Sequence, residues 1–445
     1  MLMTLSLGHR HNLPWVAIVD ILKMQNAIYG KKKVLTSKLS FMNRLLENNR
    51  LEVRNHYFCD ECSVYMAAAE PAVSSIVCEY CSTTINMAKS TIYFASISLE
   101  SQLKELLADK QVAESILTYR FNRVKDSEEN LEDIYDGSEY KQLSAPGGIL
   151  AQPENFSFSF FVDGVTVGKT KKSMWPIYVT ITELPPKERQ KHMLLAGLYY
   201  GPHDPDQKVF LKPFVEEVNK LSSSGVSWFH DGRNVISKVI PLIAVVDSVA
   251  RCQCMNMQTF SAFYGCTFCY QKTERTVKRL KFVIPSEPAK ERTRESYERD
   301  VMKAYEKRFE VREEDQHYKG VKGPCSLARL NYFNLFTGFV VDYMHNILLG
   351  VTKTYFQLIF DCSRAKFWQN SDDAERFAME DIMSQIDARL LSGMKPPTCI
   401  SRTPRSLKDH GNWKANERRN WLLFYSIPCL EDILKKNIYI IYLSW

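Results

Sequence analysis

Hydrophobic residues along the 445-residue chain follow two different spacings, and their alternation predicts a mixed α/β fold. Apolar residues recur at helical spacing over 13–55 and 99–126. Short apolar runs typical of buried strands follow at 156–165, 175–184, 193–200 and 235–246. An amphipathic helix is predicted between the third and fourth runs, at 209–221. This order of three strands, a helix and a fourth strand predicts a mixed sheet covered by helices.

The second half of the chain is predicted to be mainly helical. Mixed charges over 290–315 indicate a solvated helix, and further helices are predicted at 375–391 and 414–425. Residues 327–360 are apolar, so we expect them to be buried. Residues 126–148 are acidic and then rich in Ser, Pro and Gly, which favours a linker. The hydrophobic content of 45% and the charged content of 24% are typical of an ordinary globular protein rather than a disordered one.

Two CxxC pairs near the N-terminus give the strongest local signal for a metal site. Cys59 and Cys62 are followed by Cys78 and Cys81, with 15 residues between the pairs. Each pair offers two thiolates from one tight turn, which suits tetrahedral zinc. The alternative is four free cysteines. The spacing favours a small zinc ribbon over residues 56–98 that binds one Zn2+ ion.

Two aspartates are associated with predicted strands. Asp163 lies near the end of the first predicted strand, and Asp247 directly follows the fourth. We expect the two strands to be neighbours and both carboxylates to face one cleft. Taken singly, an aspartate at the end of a strand is usually a turn or helix-cap residue, and that alternative stays open.

A second cysteine pair and a DxxH element lie further along the chain. Cys266 and Cys269 form a CxxC pair, and Asp342 precedes His345 by about one helical turn. Thiolate and imidazole ligands favour zinc, so these four residues are candidate ligands of a second Zn2+ ion. A buried His345 that is hydrogen-bonded to Asp342 accounts for the DxxH element equally well.

The stretch from residue 156 to residue 425, about 60% of the chain, holds a series of short motifs. In order, they are Asp163-Gly164, Ser173-x-Trp175-Pro176-Ile177, Leu184-Pro185, Asp247-x-x-x-Arg251, Gly265-Cys266-x-x-Cys269, Asp342-x-Met344-His345 with Leu349-Gly350, and Trp413-Lys414-Ala415-x-Glu417-Arg418-x-x-Trp421-Leu422. Their order and spacing resemble those of the transposases of the CACTA (En/Spm) superfamily and their relatives.

This resemblance implies an α/β fold with an RNase H-like mixed sheet core and an α-helical insertion, to which the cysteine spacing adds the N-terminal zinc ribbon. It implies that Asp163, Asp247 and Glu417 form an acidic triad that holds two Mg2+ (or Mn2+) ions for phosphoryl transfer on DNA. The insertion would occupy much of the 170 positions between Asp247 and Glu417. The alternative for Glu417 is an exposed helix glutamate paired with Arg418 or Arg419.

On this basis we divide the chain into six segments. They are an N-terminal helical segment at 1–55, the zinc-ribbon unit at 56–98, a helix and acidic linker at 99–150, the first part of the RNase H-like core at 151–250, the helical insertion with CxxC and DxxH at 251–405, and the last core helix with the C-terminal end at 406–445.

The charge distribution is compatible with a nucleic-acid partner. The formal net charge of +7 is mild, but basic residues are concentrated near the predicted acidic triad. The candidate DNA contacts are Lys169, Lys171, Lys172, Arg402, Arg405 and Lys408. The resemblance implies binding to transposon terminal repeats, a homo-oligomer and a nuclear location. No apolar run reaches the length of a membrane span.

Two other functions fit the same motifs. The first is a catalytically inactive, domesticated or decayed transposon remnant that binds DNA or protein. The absence of an obvious helix-turn-helix and the short stretch after Glu417 favour this alternative. The second is an RNase H-like nuclease without transposition activity.

Overall fold

The computed structural model describes residues 11, 13–29, 52–62, 64–68, 75–87, 90, 92–167, 172–276, 280–309, 316–360, 380–393, 400 and 403–433. Several sequence predictions fall outside these residues: the helical spacing over 30–51, Lys169, Lys171, Arg402, and the apolar run at 435–445.

The strands lie mainly in the N-terminal two thirds of the chain. In chain order they are β1 Val53–Phe58, β2 Tyr65–Ala68, β3 Ser75–Val77, β4 Thr84–Asn86, β5 Tyr93–Ile97, β6 Phe156–Val162, β7 Val165–Val167, β8 Lys172–Ile181, β9 Met193–Gly201, β10 Val226–His230, β11 Arg233–Ser237, β12 Val239–Val246, β13 Glu274–Arg275, β14 Leu280–Lys281 and β15 Phe339–Val341.

The helices surround this sheet region and dominate the C-terminal part. They are α1 Trp15–Tyr29, α2 Leu99–Ala108, α3 Lys110–Asn122, α4 Ser138–Ser144, α5 Pro186–Lys191, α6 Gln207–Phe210, α7 Lys212–Ser223, α8 Ser248–Cys254, α9 Arg294–Lys307, α10 Lys353–Phe360, α11 Glu380–Ala388, α12 Ala415–Asn420 and α13 Ser426–Leu430. Wider, π-type turns form Tyr343–Thr352 before α10, Arg389–Gly393 after α11 and Trp421–Tyr425 after α12.

A nine-stranded sheet organises the fold. Its strand order is β15-β12-β6-β8-β9-β5-β1-β2, and β7 pairs with β8. Strands β6, β12 and β15 run parallel to one another, whereas the other pairings in this sheet are antiparallel. The predicted mixed α/β architecture is therefore confirmed.

The centre of the sheet is apolar because its parallel strands are covered on both faces. The sequences FSFSFFV of β6 and VIPLIAVV of β12 are nearly continuous hydrophobic runs, as expected for buried parallel strands. The buried side chains of Phe214, Val218 and Leu221 on α7 pack into the same core. The run predicted as one strand at 235–246 forms β11 and β12, because β11 turns back to pair with β10.

The segments before β6 are integrated with the sheet. The predicted zinc-ribbon unit contributes β1, β2 and β5 to the same sheet as β6 and β12. The stretch predicted as a linker at 126–148 includes the buried residues Tyr135 and Tyr140. The Tyr135 hydroxyl donates a hydrogen bond of 2.7 Å to the Thr182 carbonyl, and the Tyr140 hydroxyl donates one of 3.0 Å to Glu183.

A second hydrophobic cluster forms in the C-terminal helices. It joins Phe356 on α10, Ile386 on α11, Trp413, and Trp421 immediately after α12. The helix α12 packs against the turns of Tyr343–Thr352. Within the described ranges, no helix combines the length and the apolar character needed to cross a membrane.

Candidate metal and DNA site at the strand ends

Three aspartates follow neighbouring parallel strands. Asp163 follows β6, Asp247 follows β12 and Asp342 follows β15. The pairing is in register near these ends, where Val245 lies opposite Phe161 and Val246 lies opposite Val341. Because parallel strands end at the same edge of a sheet, the aspartates gather at one edge. Asp163 and Asp247 are thus on neighbouring strands, where the sequence analysis expects them.

The electrostatics of Asp163 indicate that these side chains are close. Partial burial raises the pKa of Asp163 above its ordinary value, and the negative charges of Asp247 and Asp342 raise it further. A 2.8 Å hydrogen bond from the Gly164 amide and the neighbouring His345 partly oppose this shift of the pKa. The edge therefore concentrates negative charge that a bound cation would relieve.

Each of these aspartates also has a local structural role. Asp247 is the N-cap of α8, and its Oδ1 accepts a 2.6 Å hydrogen bond from the Ala250 amide. Asp342 caps the following turns by accepting from the amides of Met344 and His345 at 3.1 and 3.0 Å. Its carboxylate also contacts the His345 ring through Nδ1. The alternative interpretations as cap residues and as an Asp342–His345 pair thus describe real contacts.

Sequence reasoning missed a fourth aspartate on this side of the sheet. Asp204 follows β9, which runs parallel to β6 because both pair antiparallel with β8. Its carboxylate accepts hydrogen bonds from Ser173, Trp175 and Gln253. The available signal was an acidic residue four positions after the third predicted strand.

Glu417 lies on α12 and is only 8% exposed. Its Oε1 accepts a 2.6 Å hydrogen bond from Arg405 Nε, and its Oε2 accepts one of 3.0 Å from Arg405 Nη2. The Lys414 amide donates to the same carboxylate at 2.8 Å. Glu417 is therefore not the exposed glutamate of the alternative interpretation, and its bidentate partner is Arg405.

The four N-terminal cysteines converge. Their sulfur atoms all lie within 4.8 Å of one another, with Cys59 Sγ 3.5 Å from Cys81 Sγ and Cys62 Sγ 3.6 Å from Cys78 Sγ. The side chain and the backbone amide of Thr83 lower the pKa of Cys81 to about 6, which favours a thiolate. Four convergent sulfurs could hold a metal ion, and a set of four cysteine ligands suits tetrahedral zinc.

The second cysteine pair is built differently. Cys266 Sγ and Cys269 Sγ are 3.4 Å apart, and the buried Arg292 donates from Nε to both of their backbone carbonyls at 3.1 and 3.2 Å. Arg251 lies against the intervening Phe268, with its guanidinium carbon 4.4 Å from the ring centroid. Among the residues described, the N-terminal cysteines alone form a group of three or more candidate ligands within 4.8 Å, so the structure does not bring this pair into such a group with Asp342 and His345.

The candidate DNA-contact residues that can be located have different surroundings. The Lys172 ammonium lies 5.0 Å from the centroid of the Tyr200 ring, and Lys408 is exposed. Arg405 is engaged by Glu417 and also by Asp409, whose Oδ2 lies 2.7 Å from Arg405 Nη1. Lys172 and Lys408 are therefore better placed for phosphate contacts than Arg405.

A comparison with known families finds a match to part of the chain. Residues 129–316 match the family described as "Transposase family tnp2". The matched segment is that of a transposase family, as the motifs indicate, and the match is consistent with the CACTA superfamily. It includes Asp163, Asp247, Cys266 and Cys269 and ends before Asp342 and Glu417. A search of the curated proteins found no match to the chain.

Proposed function

We propose that this protein is a DDE-type transposase that cleaves and joins DNA strands at transposon terminal repeats. One observation carries the proposal. Asp163 and Asp247 follow two neighbouring parallel strands, and both lie in the segment that matches a transposase family. The raised pKa of Asp163 supports it, because uncompensated carboxylates at a partly buried edge are typical of a cation site.

The strand arrangement supports an RNase H-like core. If β6, β8, β9, β12 and β15 are numbered from one to five, their order across the sheet is 3-2-1-4-5. The second strand runs antiparallel to the first, and the fourth and fifth run parallel to it. In this proposal β15 is a core strand, so the insertion before Glu417 begins after Val341.

The residues at the sheet edge fit a divalent metal centre. Mg2+ and Mn2+ prefer carboxylate oxygen, and the charges of Asp247 and Asp342 both act on Asp163. A bound pair of ions would supply an activated water or DNA 3′-hydroxyl and stabilisation of the leaving oxygen. Asp163 would contribute to both ions, Asp247 would complete one, and a third carboxylate would complete the other. Asp163 must be ionised for this role.

In this proposal the third carboxylate is Glu417, because it lies in the last of the motifs that resemble those of the transposases. The packing of α12 against the turns that start after Asp342 supports the assignment, since it ties the helix of Glu417 to the third strand end. Asp342 is the competitor, because its charge acts directly on Asp163. Arg405 would have to release Glu417 before that carboxylate could bind a metal ion.

Zinc has a structural role in the proposal. The four N-terminal cysteines would hold one Zn2+ ion and fasten β1 and β2 at the edge of the large sheet. We also propose, from the residue types and their spacing alone, a second Zn2+ ion at Cys266 and Cys269. Asp342 and His345 would have to approach the two sulfurs to complete it, because the described structure does not gather the four residues within 4.8 Å. If Asp342 bound this zinc ion, its carboxylate would not be free to bind a metal ion together with Asp163.

The substrate in this proposal is duplex DNA, the assembly is a homo-oligomer and the location is the nucleus. The supporting observations are the transposase-family match and the exposed Lys408. Phosphate contacts would come from the stretch of sequence with Lys169, Lys171 and Lys172, and from the stretch with Arg402, Arg405 and Lys408.

A cleavage assay on the terminal repeats that flank the coding sequence tests the function. We expect Mg2+-dependent strand cleavage by the wild type and none by Asp163→Asn or Asp247→Asn, with DNA affinity retained. DNA binding without cleavage by the wild type would instead support the inactive remnant. Cleavage without joining of the released ends would support a nuclease.

A further inference from the structure

We propose that Asp204 is a positioning residue that links the Asp163-Gly164 segment between β6 and β7 to the helix that follows Asp247. This inference rests on the proposed function, because it concerns the geometry of the same metal-binding edge. Asp204 follows β9 and is not one of the predicted acidic ligands. It is a single carboxylate whose two oxygens hold two different parts of the site.

The first oxygen binds Trp175, whose indole lies against the Asp163-Gly164 segment. Asp204 Oδ1 accepts hydrogen bonds of 2.7 Å from Ser173 Oγ and 3.0 Å from Trp175 Nε1. The Trp175 side chain is almost completely buried, with 3% exposure. Its indole lies so close to Gly164 that a Cβ atom at that position would be only 2.6 Å from the ring. The position of the indole therefore limits where the Asp163-Gly164 segment, which joins β6 to β7 in the same register against β8, can lie.

The second oxygen holds the helix that follows Asp247. Asp204 Oδ2 accepts a 3.2 Å hydrogen bond from Gln253 Nε2. Gln253 lies on α8, and Asp247 is the N-cap of that helix. A change in this hydrogen bond would shift or rotate α8 relative to the Trp175 indole. The separation between Asp163 and Asp247 is thus coupled to one carboxylate.

The ionisation of Asp204 agrees with a positioning role. Partial burial opposes the charge, but hydrogen bonds from Ser173, Trp175 and Gln253 outweigh it and hold the pKa of Asp204 below its ordinary value. The pKa of Asp163 is shifted in the opposite direction. Asp204 is therefore a permanently charged acceptor with its oxygens engaged by protein donors, whereas Asp163 carries the unrelieved charge.

The Asp204–Gln253 pair permits a donor–acceptor exchange. Gln253→Glu places two carboxylates against each other where the 3.2 Å hydrogen bond now lies. Adding Asp204→Asn restores a bond in the opposite sense, because the new amide donates to the new carboxylate. The amide oxygen that Asp204→Asn leaves in place can still accept from Ser173 and Trp175. The double variant keeps the wild-type net charge. The substitution of Gln253 breaks no hydrogen bond to Oε1, because that atom has no hydrogen-bond partner among the described residues.

The experiment measures Mn2+ binding to the full-length protein by electron paramagnetic resonance, with a thermal melt of each variant. Mn2+ is the probe because it prefers the oxygen ligands that Mg2+ also uses. We expect Asp163→Asn to abolish a Mn2+ site. We expect Gln253→Glu to weaken that site by about tenfold or more, which is the usual effect of removing a residue that orients a metal ligand. The double variant should return to within about threefold of the wild type.

The outcomes separate this inference from the proposed function. Mn2+ binding that is unaffected by Asp163→Asn contradicts the metal site itself. If Asp163→Asn abolishes binding but Gln253→Glu binds Mn2+ like the wild type, the link through Asp204 is wrong and the metal site stands. Equal losses in the single and double variants, accompanied by equal drops in melting temperature, show a general packing defect and also overturn the inference.

Discussion

Asp163 lies beside Asp247 because the strands that precede them, β6 and β12, pair in parallel and end at the same edge of the sheet. The charge of Asp247 is the second-largest influence on the pKa of Asp163, after burial, and both raise it. This arrangement has a cost in the absence of metal, because two like charges are held together in a partly desolvated place. Such a cost is common where a site is organised for binding rather than for stability.

Asp163→Asn is therefore expected to stabilise the metal-free protein. The pKa of Asp163 is higher in the folded than in the unfolded chain, so its ionised form weakens the fold above that pKa, and the penalty disappears as the pH falls. At pH 7 the melting temperature should rise by roughly 1–3 °C. Differential scanning calorimetry with and without Mg2+ checks this, since Mg2+ should stabilise the wild type but not Asp163→Asn. Asp126→Asn, at an exposed position, is the control. A lower melting temperature for Asp163→Asn would contradict the prediction.

Loss of the N-terminal zinc should disrupt one edge of the large sheet. Zinc binding to such cysteine sites is worth on the order of 10 kcal/mol, and β1 and β2 are joined to the sheet beside these cysteines. Cys62→Ser should lose one equivalent of zinc by elemental analysis and expose β1 and β2 to hydrogen exchange. Cys325→Ser, which changes a buried cysteine outside this group, should keep the full zinc content. An unchanged zinc content in Cys62→Ser would rule the site out.

The described fold shows which features the sequence could predict. The strands β6 and β12 were predictable because their apolar runs are buried on both faces. The helical spacing at 99–126 predicts one helix and misses a break within it. The break arises because Asp109 ends α2 and caps α3 with its own side chain. The hairpin between β10 and β11 was missed although Asp231-Gly232, with φ of 44° and 81°, is a typical hairpin turn.

The site was predictable only where chemistry is local in sequence. The two CxxC pairs carry their geometry in a few residues, so the convergence of their sulfurs could be expected. The Asp204–Gln253 contact joins residues 49 positions apart and depends on the pairing of β8 with β9. The Arg405–Glu417 contact similarly depends on how a turn folds back on α12. Such contacts follow from tertiary packing, which the spacing of residue types does not encode.

DNA affinity should depend on Lys172 and Lys408. Each ammonium that neutralises a phosphate contributes about 0.9 to the slope of log affinity against log salt concentration. Lys172→Glu with Lys408→Glu should weaken binding to all duplex sequences alike and reduce the slope by about 2. Fluorescence anisotropy over a range of salt concentrations measures both quantities. The control combines Lys187→Glu with Lys212→Glu, at exposed lysines outside the predicted DNA face. A slope equal to that of the control pair would place the DNA elsewhere.

Acid should destabilise the protein partly through His56. This ring contacts Tyr65 Oη at 3.1 Å and Ser96 Oγ at 2.9 Å, and it stacks on Phe94. Burial, assisted by Arg54, lowers the pKa of His56 from 6.5 to about 4. Its contribution to stability is complete above pH 6.5 and is lost as the pH falls to about 4, because the unfolded chain takes up the proton first.

The expected loss from this residue is roughly 2 kcal/mol, less than the full shift of the pKa implies, because the ring, although only 6% exposed, lines a cavity of about 670 Å³. Urea unfolding between pH 4 and 7.5 measures it. His56→Gln should flatten the pH dependence over this window, since glutamine can hydrogen-bond but does not titrate. His203→Gln, at an exposed histidine, should leave the dependence unchanged. An identical pH profile for the wild type and His56→Gln would assign the acid sensitivity to other groups.

The identity of the third carboxylate can be decided by comparing Glu417→Gln with Asp342→Asn. Glu417→Gln should abolish Mg2+-dependent cleavage and also cost about 1–3 kcal/mol of stability, because Arg405 loses a charged, nearly buried partner. Asp409→Asn is the matched control, since it removes another Arg405 partner without changing Glu417. If the two substitutions acted only through stability, the loss of cleavage in Asp409→Asn and in Glu417→Gln would follow the drop in melting temperature of each variant. Full loss in Asp342→Asn with activity surviving in Glu417→Gln would instead assign the third carboxylate to Asp342, at the end of β15.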